Sequence, residues 1–146
     1  MTTIEKDSQY VLQTYGRFPL ALAKGQGTRV WDEEGREYLD FCAGIATCAL
    51  GHCHPALTSA ITEQANQLIH CSNLYFTKQQ SDLAELIVEK VVQQPGKIFF
   101  SNSGAEANDG LIKLARRHGI ESARHEIITF NQSFHGRTIG AMSATA

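Results

Sequence analysis

Apolar residues recur along this chain at two spacings, and the switches between them mark out its elements. Pro55 opens a run in which Leu57, Ala60, Ile61, Ala65, Leu68 and Ile69 share one face, predicting a helix from Pro55 to about His70. Proline suits its first turn, where the missing N–H has no partner to lose. The same spacing returns at Leu83, Leu86, Ile87 and Val91, after Thr77-Lys78-Gln79-Gln80, which has the form of a capping box, and Pro95-Gly96 closes that helix. A third face, Ala107, Leu111, Leu114 and Ala115, begins near Ala105 and runs to about Arg117, with Gly119 as its stop.

Shorter runs predict strands. Leu20–Ala23, Thr28–Asp32 and Glu37–Phe41, the last two joined by an Asp32-Glu33-Glu34-Gly35 turn, read as a small antiparallel meander. Lys97–Phe100 and Glu126–Phe130 flank the third helix, so strand, helix and strand predict a parallel, right-handed βαβ unit. A short helical or irregular lead is expected from Gln9 to Thr14, broken by Gly16 and Pro19. The small-residue stretch from Cys42 to His54 has no period and reads as a loop or domain crossing. An α/β fold follows, in two parts: residues 1–54 with the meander, and 55–146 as the first portion of a larger α/β domain.

Composition changes this picture little. With 146 residues, 42% hydrophobic and 19% charged, the chain has the means for an ordinary core. A net charge of -2 without a block of Lys or Arg argues against nucleic acid or an anionic membrane as partner, leaving small metabolites. The polar first residues show no secretory signal, and no apolar run approaches a membrane span, so a cytoplasmic protein is expected. Cys42, Cys48, Cys53 and Cys71 lie near His52, His54 and His70, which raises zinc. The spacing lacks a C-x-x-C knuckle, so reduced, mostly packed thiols are expected and no metal.

The candidate chemistry lies at the turn Ser101-Asn102-Ser103-Gly104-Ala105-Glu106. A strand, a tight small-residue turn and an immediate helix leave N–H groups unpaired at the positive end of a helix dipole, a seat for phosphate. Alternatively Ser103 and Glu106 satisfy those donors themselves as a capping box. The turn's place at the carboxyl edge of a βαβ unit favours the anion seat. From the loop after the second strand, Phe134 offers a flat face to a planar ring and Arg137 a forked donor to a carboxylate; core packing and a surface ion pair are their ordinary alternatives.

The blocks Phe100-Ser101-Asn102-Ser103-Gly104-Ala105-Glu106-Ala107-Asn108 and Ser133-Phe134-His135-Gly136-Arg137-Thr138 follow Trp31-Asp32-Glu33-Glu34-Gly35-Arg36 and Leu50-Gly51-His52-Cys53-His54-Pro55. Together they resemble the amino-terminal part of class III pyridoxal-phosphate aminotransferases. The resemblance implies a fold-type I, aspartate aminotransferase-like fold, of which this chain is the amino-terminal portion. It also implies cofactor contacts at Ser103, Gly104, Ala105 and Phe134, a substrate carboxylate at Arg137, and a supporting Tyr15. Within the class, Tyr15-Gly16-Arg17-Phe18-Pro19 and Phe41-Cys42-Ala43-Gly44-Ile45-Ala46 are most similar to enzymes that transfer the amino group of acetylornithine to 2-oxoglutarate in arginine biosynthesis. Ornithine, succinylornithine and 4-aminobutyrate stay open as donors, as does a non-catalytic α/β module for a phosphate ligand. Family members are homodimers. Asp109-Gly110 stands where the family has Glu and a small helix former, and glycine there costs about 1 kcal/mol of helix propensity. No lysine here matches the Schiff-base lysine, and no pyridine-facing aspartate is present, so a fragment without catalytic residues, inactive alone, is expected.

Overall fold

The computed structural model describes residues 1–145, which form two compact units, residues 1–74 and residues 75 onward. The division expected after residue 54 falls inside the first unit. Helix α1 (Thr3–Tyr10) precedes the strands β1 (Leu22–Gln26), β2 (Arg29–Asp32) and β3 (Glu37–Leu39). A short turn, α2 (Ala43–Ala46), and helix α3 (Pro55–Ala65) complete the first unit.

Helix α1 lies earlier than the lead expected at Gln9–Thr14. Its start is set by a capping box, in which Thr2 Oγ1 accepts from the Glu5 N–H at 3.2 Å and the Glu5 carboxylate accepts from the Thr2 N–H at 2.7 Å. The expected meander is present: β1 pairs antiparallel with β2, and β2 with β3. β1 extends through Gly25 and Gln26, residues expected in the turn, because the following chain folds back onto them. Gly27 and His52 exchange both backbone hydrogen bonds, at 2.8 and 2.9 Å. A Cβ on Gly25 would lie 2.7 Å from the His52 ring, so only glycine admits this approach.

The stretch expected as a loop, 42–54, therefore lies against the sheet. Within it Ala43, Gly44, Ile45 and Ala46 all adopt positive φ, from 47° to 63°. Asp40 holds that turn, accepting from the Cys42 and Ala43 N–H groups at 2.9 Å each, and its other oxygen is 2.6 Å from His52 Nε2. The imidazole contact, followed by the two amides, lowers the Asp40 pKa. Cys42 and Cys53 are exposed rather than packed; all four cysteines are free thiols.

The second unit holds α4 (Lys78–Leu86), which widens into a π-helical stretch over Ile87–Val92, then α5 (Gly104–Gly119), a 3₁₀ turn at Ile120–Ser122, and α6 (Ile139–Ala144). The capping box expected at Thr77 does not form, since the Thr77 side chain makes no cap hydrogen bond. The helix ends at Gln93, in left-handed conformation, just ahead of Pro95-Gly96. The parallel βαβ unit is also corrected. Residues 97–100 and 126–130 carry no strand ladder, and the sheet among the described residues is the antiparallel meander alone. A strand exists only beside a partner, and these two segments do not hydrogen-bond to each other.

Few side chains are buried. Among the described residues, Val30 and Ala141 are the buried hydrophobic ones, while the apolar faces of α3 and α5, with Ile61, Leu111 and Leu114, remain exposed. The best-buried polar group is Asp32, at 3% exposure. Burial alone would raise its pKa. The Tyr38 hydroxyl at 2.8 Å, the Arg36 N–H at 2.8 Å and Arg36 Nε at 2.7 Å together outweigh that and hold it down to about 2.

An unfolded aspartate titrates near ~3.9, so this carboxylate stabilises the meander fully above that pH, and the contribution disappears as pH falls toward 2. Trp31, the sole tryptophan of these residues, sits beside it on β2. We predict an acid transition in Trp31 fluorescence over that window, flattened in Asp32→Asn, which cannot lose a charge there.

Candidate cofactor and substrate site

Helix α5 begins where the sequence places it, because Ser103 is extended (φ -152°, ψ 161°) and its Oγ accepts from the Glu106 N–H at 3.2 Å. The other half of the expected box differs. The Glu106 carboxylate reaches back to Asn102, accepting from its backbone N–H at 2.8 Å and its side-chain Nδ2 at 3.0 Å. Capping therefore occupies the third N–H of the helix and leaves the first two. Neither the Gly104 nor the Ala105 N–H donates to an acceptor among the described residues. The side-chain position of Gly104 is open, since a Cβ there would meet nothing within 4 Å. Two adjacent donors without an acceptor at the positive end of a helix of 16 residues, with the Ser103 hydroxyl beside them, are the groups that an anion seat requires.

The loop at 131–138 lies against this helix start. Gly136 is buried and runs so close to α5 that a Cβ there would stand 2.6 Å from Ala105 Cβ and 2.9 Å from Ala105 Cα. Its φ of +135° is a second reason that only glycine serves. Asn108, one turn into α5, donates through Nδ2 to the His135 carbonyl at 2.6 Å. Ser133 closes the loop's entry, donating to the Phe130 carbonyl at 2.6 Å. From this sewn backbone Phe134 projects with its ring mostly exposed, and Arg137 Cζ lies 5.0 Å from that ring's centroid.

Gly136 against Ala105 and Asn108 against His135 set the loop that carries Phe134 and Arg137 beside the Ser103-Gly104-Ala105 turn, all within the second unit. Stacking engages the flat side of a guanidinium, while its donors point along its edges, the geometry that suits a carboxylate. Tyr15 belongs to the first unit, where Arg17 Cζ lies 5.8 Å from its ring centroid and Arg17 also pairs with Asp7 at 3.3 Å. Sequence reasoning missed the parts that join loop to helix. In the sequence Asn108 and Gly136 stand only as members of the two motif blocks; a glycine flanked by His135 and Arg137 is the available sign of a close approach.

Comparison with known proteins places this geometry. Residues 10–146 match the aminotransferase class-III family. The acetylornithine aminotransferase of Caldanaerobacter subterraneus subsp. tengcongensis is 57% identical across 99% of this chain and 37% of its own length. That of a Nostoc species is 52% identical across 92% of this chain and 32% of its own. Among solved structures, the N-acetylornithine aminotransferase of Stenotrophomonas maltophilia superposes with a TM-score of 0.78 at 42% identity, over 91% of this chain and 36% of that one. The ornithine aminotransferase of Toxoplasma gondii, whose active site holds PLP at partial occupancy, gives 0.85 at 32% identity, over 97% and 34%. The chain spans about a third of the length of the curated relatives it matches. The antiparallel meander, the α5 turn and the loop behind it are therefore the opening part of a fold-type I architecture, and the chain belongs to the class III aminotransferases, a pyridoxal-phosphate-dependent family.

Proposed function

We propose that the complete protein is a transaminase that passes the amino group of N2-acetylornithine to 2-oxoglutarate, with pyridoxal phosphate as cofactor. One observation supports this reading: the loop that packs through Gly136 against Ala105, next to two N–H groups without an acceptor, carries an aromatic ring and a guanidinium side by side. The residues fit the cofactor part by part. Gly104 and Ala105 supply backbone donors to a phosphate dianion and Ser103 a hydroxyl, without any of them having to break an existing backbone bond. Phe134 offers its face to a pyridine ring. Arg137 offers a carboxylate two parallel hydrogen bonds and fixes the orientation of the amino acid that carries it.

Bound pyridoxal phosphate supplies an electron sink for the carbon from which the amino group leaves. The contribution of this chain is placement. The seat at α5 fixes one end of the cofactor, Phe134 keeps the ring from tilting, and Arg137 turns the substrate so that its reacting bond faces the ring. Tyr15 is proposed to assist at the same carboxylate. No group of this chain is assigned the proton transfer. By resemblance, the lysine and aspartate for that work belong to the part of the longer relatives that this chain does not span, and residues 1–146 alone are expected to be inactive. The choice of acetylornithine rests on the names of the relatives at 48–57% identity. A role in arginine biosynthesis, a homodimer and a cytoplasmic location belong to the same reading.

The direct test is spectroscopic. Protein made from the complete coding sequence is expected to take up pyridoxal phosphate with a visible absorbance that changes on adding N2-acetylornithine and returns with 2-oxoglutarate. A folded protein that binds no chromophore would refute the proposal.

Gly104→Pro is a sharper probe of the seat. Proline suits the first helical position, and the extended Ser103 before it already has the backbone that proline demands. The substitution removes one N–H and leaves the helix intact, so cofactor dissociation is expected to rise about ten- to a hundredfold, the effect of one charge-assisted hydrogen bond. Arg137→Ala should instead leave cofactor uptake in place and raise KM for both acidic substrates by roughly a hundredfold, read by steady-state kinetics.

A further inference from the structure

The loop that carries Phe134 and Arg137 has no strand to anchor it. The residues before it, 126–130, form no ladder, and Gln132 turns through positive φ. Two side chains do the anchoring, and both act on one residue. The His135 carbonyl receives the Asn108 amide at 2.6 Å from the α5 side. On the other side the His135 N–H donates to Thr145 Oγ1 at 3.0 Å. The Thr145 hydroxyl in turn donates to the Ala141 carbonyl at 3.1 Å at the end of α6, with the Gly136 carbonyl at 3.5 Å as second acceptor. Both backbone groups of His135 are thereby taken, between Phe134 immediately before it and Arg137 two residues after it.

We propose that Asn108 and Thr145 are positioning residues which, by gripping the His135 backbone from opposite sides, hold the loop that carries Phe134 and Arg137 against the start of α5. The placement rests on the transaminase reading above and adds to it the groups that set its geometry. Asn108 lies four residues after Gly104, on the same face of α5, so the donors for the phosphate and the tie to the loop move as one rigid piece. Residue type matters as well. An amide donates to the carbonyl without adding charge beside a dianion, whereas a carboxylate of the same shape has no proton to give. Thr145 must both accept and donate, which a hydroxyl does and an isosteric methyl does not.

The test uses the full-length enzyme with its cofactor and three single variants, Asn108→Asp, Thr145→Val and Thr145→Ser, with the Asn108→Asp/Thr145→Val double. The two disruptive singles are expected to raise KM for 2-oxoglutarate about tenfold, the effect of one lost hydrogen bond, with kcat within about threefold of the parent. Thr145→Ser is expected to restore KM to within about twofold. The double should be little worse than the worse single, because both ties act on one residue. Hydrogen exchange over residues 131–138, measured without cofactor, should accelerate in Thr145→Val and Asn108→Asp and not in Thr145→Ser. Unchanged exchange, or an unchanged KM with kcat and melting temperature falling together, overturns the clamp. Failure of the transaminase reading shows separately, in an unsubstituted protein that takes up no cofactor, and the exchange data decide the clamp even then.

Discussion

Everything proposed for this chain depends on two amide protons at the start of α5 that the fold leaves without an acceptor. Helix geometry makes such donors at every amino terminus, and most proteins give them to water or to a capping side chain. Here the cap is selective. Ser103 takes the third N–H, Glu106 turns away to Asn102, and the first two are left without an acceptor among the described residues. Capping and anion binding look like alternatives in the sequence, and the structure shows a cap that leaves two donors for the other role. The serine fixes the first turn, and a fixed first turn is what keeps the remaining donors parallel.

The loop beyond residue 130 gains its meaning from the same helix. Its contacts are short polar ties and one glycine at close quarters with Ala105 and the buried Ala141. Such a device sets orientation more than stability, which suits the proposed task of aiming a ring and a guanidinium. The family match over residues 10–146 supplies the chemical setting, and the local geometry supplies the reason these side chains suit it.

Much of this was legible in the residues. The start of α5, the start of α3 at Pro55 and the antiparallel meander follow from period, proline placement and turn residues, all local signals. What failed was non-local. Lys97–Phe100 and Glu126–Phe130 have the composition of strands, yet a ladder needs a neighbour that neither segment finds here, and composition does not report neighbours. Thr77 has the sequence of a cap without the bond, while Thr2, which drew no notice, has both halves of one. The Cys42–His54 stretch looked shapeless because its order comes from the pairing of His52 with Gly27 and from Asp40, which lies outside the stretch and ties its start to His52. Asn108, Gly136 and Thr145 belong to the same class: their roles lie in what they touch across the fold.

The turn at Ala43–Ala46 has a consequence for how the first unit would come apart. Four successive residues in the left-handed region, three of them bearing side chains and one β-branched, store conformational strain of about 1 kcal/mol or more at each non-glycine position. Asp40, braced by His52, is what holds this coil wound. A strained coil held by side-chain ties and single turns gives way before a strand ladder does. Under heat or denaturant the stretch from Asp40 to His52 should therefore loosen ahead of the three strands, giving the unit a frayed hinge on an intact sheet.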